Sequence, residues 1–197
     1  MQPIRVIVDE HRSLAVVMHG MLYLIRDIRL CGASANFAVF DAMVRYMDTF
    51  VEPFHHPKED AYLFRLLRLR YAGCGQLIDR LAAEHREGTE RLRDLEDTLA
   101  RYKQGESGGF AAFAQSAQAY AAFHWSHMRA EEDELLPLAR THLRKADWEE
   151  IDAAFTEHAD PLLGLAKREC DALFRRIVAL SPPPLGKPRA AAVRRHS

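Results

Sequence analysis

The chain has 197 residues, of which 48% are hydrophobic and 28% charged, proportions typical of a soluble globular protein. The formal net charge of -1 gives no reason to expect a nucleic-acid partner. No apolar run approaches the roughly 18–20 residues that cross a bilayer, and three cysteines without a CxxC pair favour a reducing compartment. No signal-peptide pattern is evident, so we expect a cytoplasmic protein that contacts neither nucleic acid nor membrane.

Helical periodicity dominates the first three quarters of the chain. It predicts four long helices, over residues 4–30, 36–70, 76–104 and 110–142. Pro53 and Pro57 fall inside the second helix and predict a kink or a break there, because each removes a backbone donor. Four long helices joined by short turns predict an all-α, up-down-up-down four-helix bundle over residues 1–145.

The remainder of the chain predicts a C-terminal helical extension over residues 146–180 and a disordered basic tail over 181–197. Asp147 is a candidate N-cap for a first helix of the extension. Asp160 and Pro161 fit the start of a second one. The extension is also a possible homodimer surface.

A His-x-x-x-Glu motif occurs twice, in the second and in the fourth predicted helix. Residues 55–66 read HHPKEDAYLFRL and residues 127–138 read HMRAEEDELLPL. His55 is thus paired with Glu59, and His127 with Glu131. Residues four apart share one face of a helix, so each pair can direct an imidazole and a carboxylate toward the same point.

A Glu-His-Arg tripeptide precedes each motif and places a lone histidine, His11 or His85, on the core-facing stripe of the first or third helix. Antiparallel packing brings these histidines and the two motifs to one layer of the bundle. Two carboxylates buried there require a cation or protonation. Mixed imidazole and carboxylate donors suit iron or manganese, and the absence of cysteine donors disfavours a structural zinc site. The predicted metal ligands are His11, His55, Glu59, His85, His127 and Glu131.

Several neighbouring residues leave alternatives open. A single histidine on an apolar stripe is more often structural than a ligand, and the metal prediction depends on all six residues occurring together. Glu132 competes with Glu131 for the bridging position. His124 is an additional ligand, a hydrogen-bond partner of the site or a core histidine. We expect His56 and Asp60, one residue round the helix from the ligands, to support the ligands from behind or to lie in solvent. We expect Glu10 and Glu84 to face outward or pair with arginines.

These motifs resemble the hemerythrin-like, or HHE cation-binding, family over residues 4–142. The resemblance implies a four-helix bundle with a non-haem di-iron centre, whose two iron ions manganese or zinc could replace. It implies His11, His55, His85 and His127 as terminal ligands, with Glu59 and Glu131 bridging. The implied partner is a small diatomic ligand or peroxide.

The third helix departs from the oxygen-carrying hemerythrins, which have a His-x-x-x-His pair there. Leu81 and Thr89 occupy the positions four residues before and after His85. The four-histidine set is more similar to bacterial iron-centre repair di-iron proteins and to iron- and oxygen-sensing hemerythrin-like domains. We therefore expect binding or sensing of oxygen, nitric oxide or peroxide. The alternatives are a di-iron enzyme or iron donor that acts on nitric oxide or peroxide damage, and a metal-free structural bundle.

Overall fold

The computed structural model describes residues 2–156 together with Arg175, Ile177 and Ala179. Within these residues the chain forms helices and no strands, and the prediction of an all-α bundle is confirmed. None of the described helices combines the length and the apolar character needed to cross a membrane. The helices are α1 (Gln2–Cys31), α2 (37–70), α3 (Gly75–Lys103), α4 (109–142) and α5 (Lys145–Thr156).

Short turns make the four long helices antiparallel. Gly32 ends the first helix with φ of 65°, and Gly105 and Gly108 form the turn between α3 and α4 with φ of 73° and 76°. Glycine adopts this left-handed conformation without the steric penalty that a Cβ atom imposes. The predicted helix limits agree with the observed ones within two residues at each end.

The second helix continues through its two prolines, so of the two predicted alternatives, a kink or a break, the break is wrong. The helix instead widens into a π-helix over Met47–His55 and again over Glu59–Phe64. In α4 a π-helical stretch over Glu131–Leu135 precedes Pro137. A π turn accommodates a residue that lacks a backbone N–H. Both motif glutamates thus begin a widened turn.

Two apolar clusters fill the bundle, one toward each end, and the six predicted ligands lie between them. One cluster lies nearer the turns that contain Gly32, Gly105 and Gly108, which we call the glycine turns. It includes Leu14, Met18, Phe40, Leu95 and Phe113. The cluster at the other end includes Ile7, Leu63, Leu81, Leu135 and Ile151. The ligand layer is therefore closed above and below by side chains that exclude water.

The short helix α5 packs on the second cluster through Trp148, Ile151 and Phe155. It begins at Lys145, two residues before the predicted cap. Asp147 instead accepts hydrogen bonds from the backbone N–H of Arg144 at 2.8 Å and from the Arg70 guanidinium at 2.8 and 2.6 Å. Asp147 therefore caps the N-terminus of α5 although it lies in the first turn of the helix.

Most of the predicted extension lies outside the described residues, including the helix start at residues 160–161 and the tail over 181–197. Ile177 is described, and it is buried in the cluster near the glycine turns. The domain limits at residues 145 and 180 and the homodimer surface remain predictions.

Candidate metal centre

The structure brings all six predicted ligands into one buried layer. They form two overlapping groups, and within each group one donor atom per residue lies within 4.8 Å of the others. Both groups share the two glutamates, whose side chains are 0% exposed. One group adds the histidine pair His11 and His55, and the other adds the pair His85 and His127.

Within each histidine pair the Nε2 atoms face each other. The distance is 3.1 Å between His11 and His55 and 3.1 Å between His85 and His127. Two neighbouring ligands of one ion, each bonded at about 2.1 Å and about 90° apart, are separated by about 3.0 Å. The spacing of each pair therefore suits a single metal ion.

Each glutamate lies between the two histidine pairs. Glu59 Oε2 is 3.5 Å from His55 Nε2 and 3.7 Å from His85 Nε2. Glu131 Oε2 is 3.2 Å from His11 Nε2, and its Oε1 is 3.7 Å from His85 Nε2. A carboxylate that reaches donors of both pairs is placed to bridge two cations.

Four further carboxylates, which we call the outer carboxylates, accept hydrogen bonds from the Nδ1 atoms of the same histidines. Two of these contacts link residues of one repeat. His55 Nδ1 donates to Glu10 at 3.0 Å, and His127 Nδ1 donates to Glu84 at 2.8 Å. The expectation that Glu10 and Glu84 face outward or pair with arginines is therefore wrong.

The other two outer carboxylates cross between the repeats. His85 Nδ1 donates to Asp60 at 3.1 Å, and His11 Nδ1 donates to Glu132 at 2.8 Å. Asp60 is 45% exposed and Glu132 is 40% exposed, so these two carboxylates connect the buried layer with solvent. Glu132 thus binds the back of a histidine ring, whereas Glu131 occupies the position between the pairs.

The outer carboxylates decide which nitrogen of each histidine is free to bind a metal. A neutral imidazole has one N–H and one lone pair, and a carboxylate can only accept. The Nδ1 atoms therefore hold the protons, and the Nε2 lone pairs point at each other inside each pair. The two Nε2 atoms of each pair are 3.1 Å apart, so their lone pairs repel each other unless a cation or a proton lies between them. This arrangement of histidine and carboxylate is common behind metal ligands.

Without a metal ion, protons compensate the buried charge. Burial alone would lower the pKa of His11, but the adjacent carboxylates of Glu131 and Glu132, the second of which accepts the Nδ1 hydrogen bond, outweigh this effect and raise the pKa to about 9. Burial also opposes protonation of His127, yet the nearby Glu131 charge raises its pKa to about 9. Burial and the neighbouring Glu131 raise the pKa of Glu59 well above its usual value. In the metal-free layer, protons therefore bind to the side chains that could hold metal cations.

The two inner glutamates also show that protein groups alone do not satisfy the layer. Neither oxygen of Glu59 and neither oxygen of Glu131 has a hydrogen-bond partner among the described residues. A buried carboxylate without such partners is costly unless it is protonated or binds a cation. Four lone-pair nitrogens and four carboxylate oxygens therefore fit a pair of metal ions.

Two further histidines line the layer. His56 is 4% exposed and lies with its ring centroid 4.0 Å from that of His85, so the alternative that placed it in solvent is wrong. His124 is 1% exposed, and neither of its ring nitrogens has a hydrogen-bond partner in the described part of the chain. Sequence reasoning did not recognise the roles of Glu10 and Glu84, although their repetition beside His11 and His85 was a usable signal.

A family model described as Hemerythrin HHE cation binding domain matches residues 2–139. The match covers α1 to α3 and nearly all of α4, and it includes every residue of the buried layer. The chain has no significant match among curated proteins or among solved structures.

Proposed function

Because the chain belongs to the hemerythrin HHE cation-binding domain family, we propose that it is a non-haem di-iron protein that binds or senses a small ligand, namely oxygen, nitric oxide or peroxide. The observation that carries the proposal is the pair of histidine sites joined by two shared glutamates. Each site offers two nitrogens and two carboxylate oxygens, and this mixture of donors suits iron or manganese. Two iron ions are the proposed occupants, with manganese or zinc as substitutes.

Bound iron would supply one-electron redox chemistry and coordination positions that the protein leaves open. The residues of the chain prepare the site for that chemistry. The outer carboxylates hold each imidazole in one tautomer and one orientation. Their hydrogen bonds also make the imidazole a stronger electron-pair donor to a metal ion. The apolar clusters on both sides keep bulk water away, so that a small ligand competes with few solvent molecules.

The third helix supports ligand binding or sensing over simple oxygen carriage. The oxygen carriers have a second histidine four residues from the first on this helix, and the two positions at that spacing from His85 hold Leu81 and Thr89. The Thr89 hydroxyl donates to the backbone carbonyl of His85 at 3.4 Å. The layer therefore has four facing Nε2 atoms and more open positions than a five-histidine site. Open positions on iron favour exchange of ligands and redox reactions.

A di-iron enzyme or an iron donor acting on nitric oxide or peroxide damage is the alternative. The four-histidine set favours it, since extra open positions also permit turnover. The burial of the site weighs against iron donation, because Glu59 and Glu131 are 0% exposed and apolar clusters close both sides of the layer. Release of an ion would require the helices to separate.

The test begins with iron quantification on protein purified without oxygen, followed by optical spectra on exposure to oxygen and to nitric oxide. We expect two iron ions per chain and a spectral change with at least one gas. A matched variant, His55→Ala combined with His127→Ala, removes one nitrogen from each site and should lose most of the iron. Two ions retained in this variant would contradict the site. Sustained consumption of peroxide or nitric oxide would favour the enzyme over the sensor.

A further inference from the structure

A cavity lies beside the buried layer, at the boundary between α1 and α4. Its volume of about 450 Å³ is large enough for several water molecules, since one water occupies about 30 Å³ in the liquid. The lining residues come from these two helices and are His19, Trp125, Met128, Arg129, Glu132 and Asp133. None of them belongs to the six predicted metal ligands.

One lining residue connects the cavity with those ligands. Glu132 is 40% exposed, and it accepts a hydrogen bond of 2.8 Å from His11 Nδ1. The preceding residue, Glu131, is 0% exposed and lies 3.2 Å from His11 Nε2. Two successive glutamates therefore contact opposite sides of one imidazole. Solvent reaches the first of these contacts, and the second lies inside the layer.

The backbone of α4 is widened where this contact occurs. A π-helical stretch runs over Glu131–Leu135. A π turn contains more residues than an α turn, so successive side chains diverge by less than the roughly 100° of an α-helix. This geometry explains how both glutamates reach the same His11 ring.

Trp125 indicates that the cavity holds water. Its Nε1 atom is buried and has no hydrogen-bond partner among the described residues. Such a donor is costly unless a water molecule accepts its hydrogen bond, and the cavity beside it has room for one. The His19 ring packs on the same indole with centroids 4.6 Å apart. Water thus extends along this aromatic wall toward Glu132.

The polar lining of the cavity suits a divalent cation that remains hydrated. His19 and Asp133 are exposed and, with Glu132, provide one imidazole and two carboxylates, donors that suit ferrous and manganous ions. Arg129 opposes them with a single positive charge. None of the potential metal-binding groups in the described part of the chain includes these donors, so an ion would stay there only briefly.

We propose that this cavity is the port through which metal ions enter the buried layer. His19 and Asp133 are the first, transient ligands, and Glu132 transfers the ion to Glu131. Because apolar clusters close the layer above and below, an ion has to enter from a side. An ion bound to Glu132 competes with the His11 N–H, which frees that ring to turn aside while α1 and α4 separate locally.

This inference rests on the proposed function and adds a route to the same site. The transfer exchanges ligands on a divalent cation and changes no oxidation state. A port lowers the barrier between the two states and leaves their free energies unchanged. Loss of the port residues should therefore slow uptake and release by the same factor, without changing the affinity.

The rate of iron uptake tests the port. Metal-free protein is mixed with ferrous ion without oxygen, and free ion is captured at intervals with a coloured chelator. Asp133→Asn removes one charge, and His19→Phe removes the nitrogens while it keeps a ring against Trp125. We expect each to load about 10-fold more slowly, the lower end of electrostatic steering effects. Iron release to excess chelator should slow equally, with the dissociation constant within about twofold of wild type.

Glu134→Gln is the matched control. It removes the same charge from the same π-helical stretch, but Glu134 pairs with Arg80 at 3.1 Å and does not line the cavity. It should load at the wild-type rate, and equal slowing in this variant would show a general charge effect and overturn the port. Thermal unfolding checks that all variants fold.

The outcomes separate the port from the proposed function. Wild-type rates in both Asp133→Asn and His19→Phe would overturn the port, while a centre with two iron ions stands. Lower final iron content in either variant would show a ligand of the centre instead of a port residue, and would also overturn the inference. A wild-type chain that binds no iron would overturn both proposals.

Discussion

Glu10 and His55 lie 45 residues apart in the sequence, yet the Glu10 carboxylate accepts a hydrogen bond of 3.0 Å from His55 Nδ1. The next residue, His11, places its Nε2 atom 3.1 Å from the other nitrogen of the same ring. Two successive residues of α1 thus contact both nitrogens of one imidazole on α2. The second repeat reproduces the arrangement with Glu84, His85 and His127.

Removal of the charge behind the histidines should weaken metal binding. We expect Glu10→Gln and Glu84→Gln each to lower metal affinity by about 10- to 100-fold, the usual effect of losing such a partner. Competition with a coloured chelator measures it. Glu87→Gln is a matched control on α3, because Glu87 is exposed and pairs with Arg91 away from the layer. Wild-type affinity in both test variants would show that these contacts do not support the site.

A neutral isostere of an inner glutamate should separate metal binding from folding. Glu59→Gln removes a carboxylate that both sites share, so we expect less than about half of the wild-type metal content. The metal-free variant should be within about 1 kcal/mol of metal-free wild type, because burial and the Glu131 charge raise the pKa of Glu59 and favour its neutral form, which glutamine resembles in shape and charge. Metal analysis and chemical unfolding in the presence of a chelator measure the two quantities. Equal metal content in variant and wild type would contradict the bridging position.

Metal loading should release protons near neutral pH. His11 and His127 have pKa values raised to about 9 in the metal-free layer, where hydrogen bonds and charge from glutamates outweigh burial. Both are therefore protonated at pH 7.5 and must lose a proton to bind a metal. Titration in weak buffer should show acidification on loading, and apparent affinity should rise as pH increases toward 9. Loading without proton release would contradict this account.

Acid should weaken the attachment of α5 in a defined range. The hydrogen bonds from Arg70 lower the pKa of Asp147 to about 2 from its usual value of 3.8. Because the folded pKa is the lower one, the contribution to stability is complete above pH 4 and is lost as pH falls from about 4 to about 2. Thermal unfolding across this range measures it. Asp147→Asn should melt at a lower temperature at pH 5 and show a smaller further decrease between pH 4 and 2.

The residues beyond α5 should contribute to stability through Ile177. This side chain is 0% exposed within an apolar cluster, whereas Ala179 is exposed. Ile177→Ala should destabilise the protein by about 2–5 kcal/mol. The control Ala179→Ser should change the stability by less than about 0.5 kcal/mol. Equal unfolding midpoints for the two variants would indicate that Ile177 does not pack against the bundle in solution.

Periodicity predicted the helices well because each long helix presents one apolar stripe, and His11, His55, His85 and His127 lie on those stripes. The π-helical turns were not predictable, since proline indicates a missing donor but not how the backbone compensates for it. The hydrogen bonds of Glu10 and Glu84 were not predicted for another reason. Glu10 lies beside a buried histidine and was expected to face away, but its side chain is long enough to reach α2, and only the packed neighbour shows where it ends.

The position of His56 was predicted only in part. It follows His55 directly, and neighbouring helical residues differ in direction by about 100°, which left open whether His56 lies beside the ligands or in solvent. The four helices surround the layer, however, so a residue turned away from α1 faces α3 and its His85 ring. Periodicity in the sequence shows which residues share a face of one helix. Which residues surround the buried layer depends on how all four helices pack together.

The hydrogen bonds that cross from Asp60 to His85 and from Glu132 to His11 suggest how such a layer can be built from a smaller unit. Two identical helical hairpins, paired about a two-fold axis, would recreate every inner and outer contact. Such an ancestor would have to carry the same residue at both related positions. Fusion of the two hairpins into one chain removes that constraint. The residues that follow the two motif histidines, His56 and Met128, can then diverge, so the two halves of the layer need not remain identical.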